Sequence, residues 1–133
     1  MKALAIFLVG LAVAFGALAM LINLSASQTA GRVFVVVDSS FPMREVWTQV
    51  VGALDEIEAG SFSEFALATE KAAIHSWQDQ LRFPGANAFA PCDFRTIEAY
   101  TEASDATERV LITTSASCPT GALIDWRVIM LEP

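Results

Sequence analysis

The chain has 133 residues, a length suited to one domain. Hydrophobic residues make up 54% of it, with the excess gathered in the first two dozen positions. The net charge is −7, from 15 acidic against 8 basic residues, with no Lys/Arg cluster; this excludes the electrostatic footprint of a nucleic-acid or anionic-lipid binder.

Residues 3–24, ALAIFLVGLAVAFGALAMLINL, contain neither charge nor proline. As a helix they would extend roughly 33 Å, enough for a bilayer core of about 30 Å. A secretory signal has a shorter apolar core, about 7–15 residues. The expectation is therefore a transmembrane signal anchor over 1–24, with cleavage at Ser25-Ala26-Ser27 as the alternative. Gly10, Gly16 and the alanines give this helix a small-residue face that could pack on another helix. Lys2 precedes the span and Arg32 follows it, so the positive-inside rule places the N-terminus in the cytoplasm and the remainder outside it, in a periplasm or equivalent space. Residues 25–31, SASQTAG, read as a short polar linker, and 32–133 as an extracytoplasmic domain held close to the membrane.

Residues 33–37, VFVVV, form a β-branched apolar run typical of a strand covered on both faces. Asp38-Ser39-Ser40 ends it. Met43, Val46, Trp47, Val50, Leu54 and Ile57 then recur at helical spacing. The pattern predicts an amphipathic helix, started by Ser39/Ser40 with Pro42 in its first turn and stopped at Gly60. Residues 63–70 alternate as a second strand and 72–77 read as a third, joined as an antiparallel hairpin with Glu70-Lys71 at the turn. Residues 78–91 read as loop, marked by Pro84-Gly85 and Asn87. Asp93 is the expected cap of a second helix running through Phe94, Ile97 and Tyr100 to about Ala103. Residues 109–115 form a fourth strand and 126–131 a fifth. The order predicts a small layered, Rossmann-like α/β domain with a mostly parallel sheet and one hairpin. Only about ten residues link the last two strands, too few for a full crossover helix. Either a one-turn helix fits there or the last strand runs antiparallel.

Cys92 and Cys118 are the only cysteines, and each adjoins a proline. An even pair in loop-like context suits a disulfide in an oxidising compartment, with two unrelated buried thiols as the other reading. Two cysteines and the distant His75 give no zinc-ligand spacing. His75 accompanies no nucleophile motif and reads as structural. Asp38 could act as a general base, but a turn or cap role fits its place at a strand end. Trp47 reads as core. Trp77 and Trp126 could be core or partner anchors, and Phe83, Phe89 and Phe94 could form a contact surface or plug the core.

In an open α/β sheet, ligands bind outside the carboxyl ends of the strands. Asp38-Ser39-Ser40 and Thr113-Thr114-Ser115 should meet there. The stretches VFVVVDSSFPMREVWTQVV, FALATEKAAIHSW and RVLITTSAS together resemble the von Willebrand factor A-type domain. Its first strand ends in Asp-x-Ser-x-Ser, a helix and a β-hairpin follow, and its fourth strand ends in a Thr-Asp-Gly-like turn. The resemblance covers about residues 32–117. It implies a divalent metal, Mg²⁺ or Ca²⁺, held by Asp38, Ser40 and Thr113, with Asp93 a further candidate, gripping an acidic group on a partner. The match is incomplete: the third motif position is Pro42, and Thr114 stands where the Asp belongs. On this topology Cys92 and Cys118 fall on neighbouring loops of the same edge, where a disulfide would brace covalently what the metal braces elsewhere.

Three functional expectations follow. The first is a membrane-anchored, non-enzymatic adaptor that binds another protein in a membrane or envelope assembly, without a cofactor. The second is a metal-dependent binding module using Asp38, Ser40 and Thr113. The third is a small membrane-tethered hydrolase using Asp38 and His75.

Overall fold

The computed structural model describes residues 6, 8–17, 31–85 and 89–133. The chain divides into two units, residues 1–30 and 31–133. In the first, residues 8–17 are helical and exposed. No helix among the described residues is long and apolar enough to cross a membrane. The transmembrane anchor expected over 1–24 and the linker over 25–31 fall largely outside the described residues.

The second unit is α/β. Its five strands are β1 (Gly31–Val37), β2 (Ser63–Thr69), β3 (Ala73–Gln78), β4 (Glu108–Thr114) and β5 (Arg127–Leu131). They form one sheet in the order β3-β2-β1-β4-β5. Both neighbours of β1 run parallel to it, and only β3 is antiparallel, paired with β2 as the hairpin pattern predicts. Gly31 belongs to β1 and not to the linker. A Cβ there would lie 3.1 Å from Thr107 Oγ1 and 3.2 Å from Ser63 Oγ, so its lack of a side chain suits this crowded start of the central strand.

Residues 33–37 are buried on both faces because the sheet has a layer on each side. Val33, Val35 and Val37 pack with Phe65, Leu67, Val110 and Ile112 under Met43, Val46, Val50, Leu54 and Ile57. Phe34 and Val36 face the other layer, with Phe94, Ile97, Leu111, Leu123 and Trp126.

The first predicted helix is broken into three pieces. Two 3₁₀ turns, Phe41–Glu45 and Trp47–Gln49, precede α1 (Val50–Ala59). Pro42 occupies the start of the first turn, and Val46 between the turns leaves the helical region at φ −107°, ψ 5°. The apolar spacing survives, since Met43, Val46, Val50, Leu54 and Ile57 are all buried. The second predicted helix shrinks further, to a 3₁₀ turn at Ile97–Ala99 and a five-residue α2 (Thr101–Asp105), separated by extended Tyr100. Asp93 does not cap it. Its carboxylate accepts the Arg95 amide and guanidinium instead.

The direction of the last strand is also resolved. β5 pairs parallel with β4, from Val110↔Arg127 to Thr114↔Leu131. The connection, residues 115–126, contains turns and no helix. Leu123 and Trp126 do the covering that a crossover helix would do. The loop aromatics also find places. Phe83 and Phe89 pack against Trp47, with ring centroids 5.5 and 5.1 Å away, so they extend the core beneath the long loop.

Candidate functional site

A polar residue loses its water on burial and needs bonded partners in exchange. Among the described residues, the buried polar and charged ones are Asp38, Ser39, Ser40, Glu70, Thr113 and Thr114. All lie at the carboxyl ends of β1, β2 and β4, which are adjacent and parallel, so the sequence-distant groups converge on one edge.

Asp38 is the centre of this edge. Its amide continues the ladder to Ile112 O at 2.9 Å, which fixes the residue just past β1. Its Oδ1 accepts the Ser40 amide at 2.8 Å. Its Oδ2 accepts the Thr113 hydroxyl at 2.7 Å and the Ser117 hydroxyl. Ser40 Oγ lies 3.0 Å from Ser117 Oγ. The structure thus brings together Asp38, Ser40 and Thr113, and adds Ser117.

A second group lies beside it. Glu70 accepts the Ser39 amide at 2.8 Å and the Ser39 hydroxyl at 2.9 Å. Lys71 Nζ closes the arrangement, 2.8 Å from Glu70 Oε1, 3.0 Å from Ser39 Oγ and 3.2 Å from Ser39 O. The side chain of Glu70 is 1% exposed and that of Lys71 is 39% exposed, so the ammonium caps a buried carboxylate from the rim. Thr96 Oγ1 donates to Glu70 O and Tyr100 OH to Thr69 O, fastening the second layer to the end of β2. Burial raises the pKa of the Tyr100 hydroxyl, and the nearby Glu70 charge adds to the effect.

The sequence puts Glu70 and Lys71 at a hairpin turn and gives neither them nor Ser117 a role. The available signal was a Glu-Lys pair at the carboxyl end of a strand beside the Asp38 loop. Replacing Lys71 with Met should expose its importance. Glu70 keeps both Ser39 donors but loses its counter-charge, which should lower stability by about 1–2 kcal/mol. Adding Glu70→Gln should recover part of that loss. Urea denaturation of both single variants and the double variant measures the coupling.

The donor set is poor in charge for a divalent ion. Ca²⁺ takes six to eight oxygen ligands, and Mg²⁺ one or two carboxylates with waters completing its shell. Here one carboxylate converges with three hydroxyls, and both of its oxygens already accept protein donors. Pro42 contributes no oxygen from its side chain, and Asp93 is engaged with Arg95. That engagement, led by the guanidinium hydrogen bonds, holds the Asp93 carboxyl down at about 2. Among the described residues, no group of three or more His, Cys, Asp or Glu is placed to hold a metal.

Asp38 and His75 do not converge either. His75 pairs with Leu67, and Leu67 with Val35, three residues before Asp38. Two strand spacings and three residues of rise separate the pair by on the order of 14 Å. His75 Nε2 accepts the Arg82 amide at 3.2 Å, a local loop contact.

Cys92 and Cys118 are joined in a disulfide that ties the segment before Ile97–Ala99 to the β4–β5 connection. The bond therefore sits against the Asp38 cluster, since Ser117 Oγ also lies 3.2 Å from Cys92 Sγ. Above the cluster, Phe41 is 53% exposed. With Pro42, Arg44, Glu45 and Ala116 it lines a shallow depression of about 680 Å³. No protein-family model, curated protein or solved structure matches this chain.

Proposed function

We propose that this chain is a membrane-tethered, extracytoplasmic protein-binding module, built on a reduced von Willebrand factor A-like domain and performing no chemistry of its own. One observation carries the reading: the buried polar groups at the carboxyl edge satisfy one another and hold the exposed Phe41 on a fixed loop. A braced edge bearing an exposed aromatic has the makings of a contact surface, because aromatic anchors dominate interface energetics. The strand, helix, hairpin, strand order, with the β1 and β4 turns side by side, supports the family resemblance. The anchor rests on the charge-free apolar run at 3–24.

The full chain, extracted from its native membrane in mild detergent, should migrate as a complex with a stoichiometric partner. Phe41→Ser should release that partner while leaving thermal stability within about 0.5 kcal/mol, as expected for an exposed side chain. A chain that runs alone and monomeric, or a complex indifferent to Phe41, overturns the proposal. Millimolar Mg²⁺ or Ca²⁺ should leave both the melting temperature and the complex unchanged. A metal-induced rise in melting temperature would favour the metal-dependent module instead.

A further inference from the structure

The Cys92–Cys118 disulfide forms part of the wall of an open cavity of about 380 Å³, shared with Phe94, Arg95, Pro119 and Leu123. Both cysteines are half-buried, and the cavity gives a small thiol a path toward the bond. The hydrogen bonds around them are unequal. Ser117 Oγ and the Cys118 amide each lie 3.2 Å from Cys92 Sγ. Among the described residues, no comparable donor addresses Cys118 Sγ.

A disulfide sulfur is a weak acceptor, whereas a thiolate is a strong one. Exchange runs faster when the departing sulfur is the better stabilised thiolate. The Cys118 amide, and the Ser117 hydroxyl once it turns from Asp38 to a forming thiolate, therefore mark Cys92 as the leaving group. We infer that Cys92–Cys118 is a thiol–disulfide exchange site for a dithiol reductant, attacked at Cys118, and that its reduction loosens the Asp38 cluster.

In the first step the reductant's thiolate forms a bond to Cys118 Sγ. The Cys92–Cys118 bond breaks, and its electron pair remains on Cys92 Sγ. In the second step the reductant's other thiolate attacks its own mixed-disulfide sulfur, and Cys118 departs as a thiolate. The protein gains two electrons, the dithiol becomes a disulfide, and the cysteine thiolates take protons from water.

The link to Asp38 runs through one hydroxyl. Ser117 has a single hydrogen, which serves Asp38 Oδ2 in the oxidised chain. A Cys92 thiolate competes for it, and two anions then face one donor. The covalent tie between the loops is lost at the same time. Asp38 and the Ser40 amide that it anchors should loosen together. This consequence rests on the proposed binding edge and supplies its regulation.

The full chain in detergent is treated briefly with glutathione and quenched before a second glutathione can displace the protein thiol from the mixed disulfide. N-ethylmaleimide then caps the freed cysteine, and mass spectrometry locates the adduct. Glutathione is expected on Cys118 in about tenfold excess over Cys92, the worth of one hydrogen bond to a charged group. Ser117→Ala should erase most of that bias, and Ser117→Thr should keep it. Adducts shared equally, an excess on Cys92, or a bond inert until denaturant is added would each overturn the exchange site. After dithiothreitol treatment, hydrogen–deuterium exchange at the Ser40 amide should accelerate about tenfold. Unchanged protection would overturn the loosening of the cluster. No partner enters either measurement, so failure of the binding reading leaves both results intact.

Discussion

Replacing Asp38 with alanine is expected to lower the stability of the domain by about 3–5 kcal/mol. The carboxylate is fully buried and accepts three donors, from the Ser40 amide and the Thr113 and Ser117 hydroxyls. Alanine leaves all three facing a void. Thr113 and Ser117 can turn their hydroxyls toward other oxygens, but the Ser40 amide cannot turn. A domain of this size shifts its melting temperature by about 4–8 °C per kcal/mol, so the fall should exceed roughly 12 °C. Asp38→Asn gives the discriminating contrast. Its oxygen can still accept the Ser40 amide, and its NH₂ can donate to hydroxyls that rotate to receive it. The expected loss is about 1 kcal/mol. Thermal melts of the full chain in detergent measure both. If the two variants lose equally, charge at Asp38 holds the edge together; if alanine costs less than 1 kcal/mol, the cluster does not brace the loop.

The same cluster shows how far the sequence can be read. The strands were legible because burial on both faces favours continuous apolar runs rich in β-branched residues, and residues 33–37 and 110–112 have that composition. The first helix was legible in its apolar spacing but not in its backbone. A 3₁₀ turn and an α-helix bury nearly the same positions over so short a stretch, and only the local dihedrals at Val46 separate them. The second helix failed in its backbone: Phe94, Ile97, Tyr100 and Ala103 all pack in the second layer, but Tyr100 is extended and breaks the helix between Ile97–Ala99 and Thr101–Asp105. Asp38, Ser40 and Thr113 were found because the ends of parallel strands are a place to look. Ser117 and Glu70 were not, because their roles depend on contacts across 79 and 31 residues. A Glu-Lys pair in a tight turn reads as solvent-exposed, and its place at a strand end is the one hint that the Ser39 amide and hydroxyl draw the Glu inward.

The short β4–β5 connection supports a second large effect, at Phe34. This side chain is 1% exposed in the middle of β1. Its ring meets Tyr100 and Trp126 edge-on, with centroids 5.6 and 6.0 Å away. Twelve helix-free residues, 115–126, carry the chain from β4 to β5, and Leu123 and Trp126 are the buried side chains that hold this passage to the sheet. Phe34 is the surface on which Trp126 rests. Phe34→Ala should therefore cost about 3–5 kcal/mol, the usual range for an emptied aromatic site. Phe34→Leu should cost less than half of that, because it refills most of the volume. The loss should also be local in character. Near-UV circular dichroism from the tryptophans should weaken, and amide exchange in Arg127–Leu131 should rise before that in β2. Uniform acceleration across all five strands would show that the sheet opens as one cooperative unit, with Trp126 contributing no separate hold on its edge.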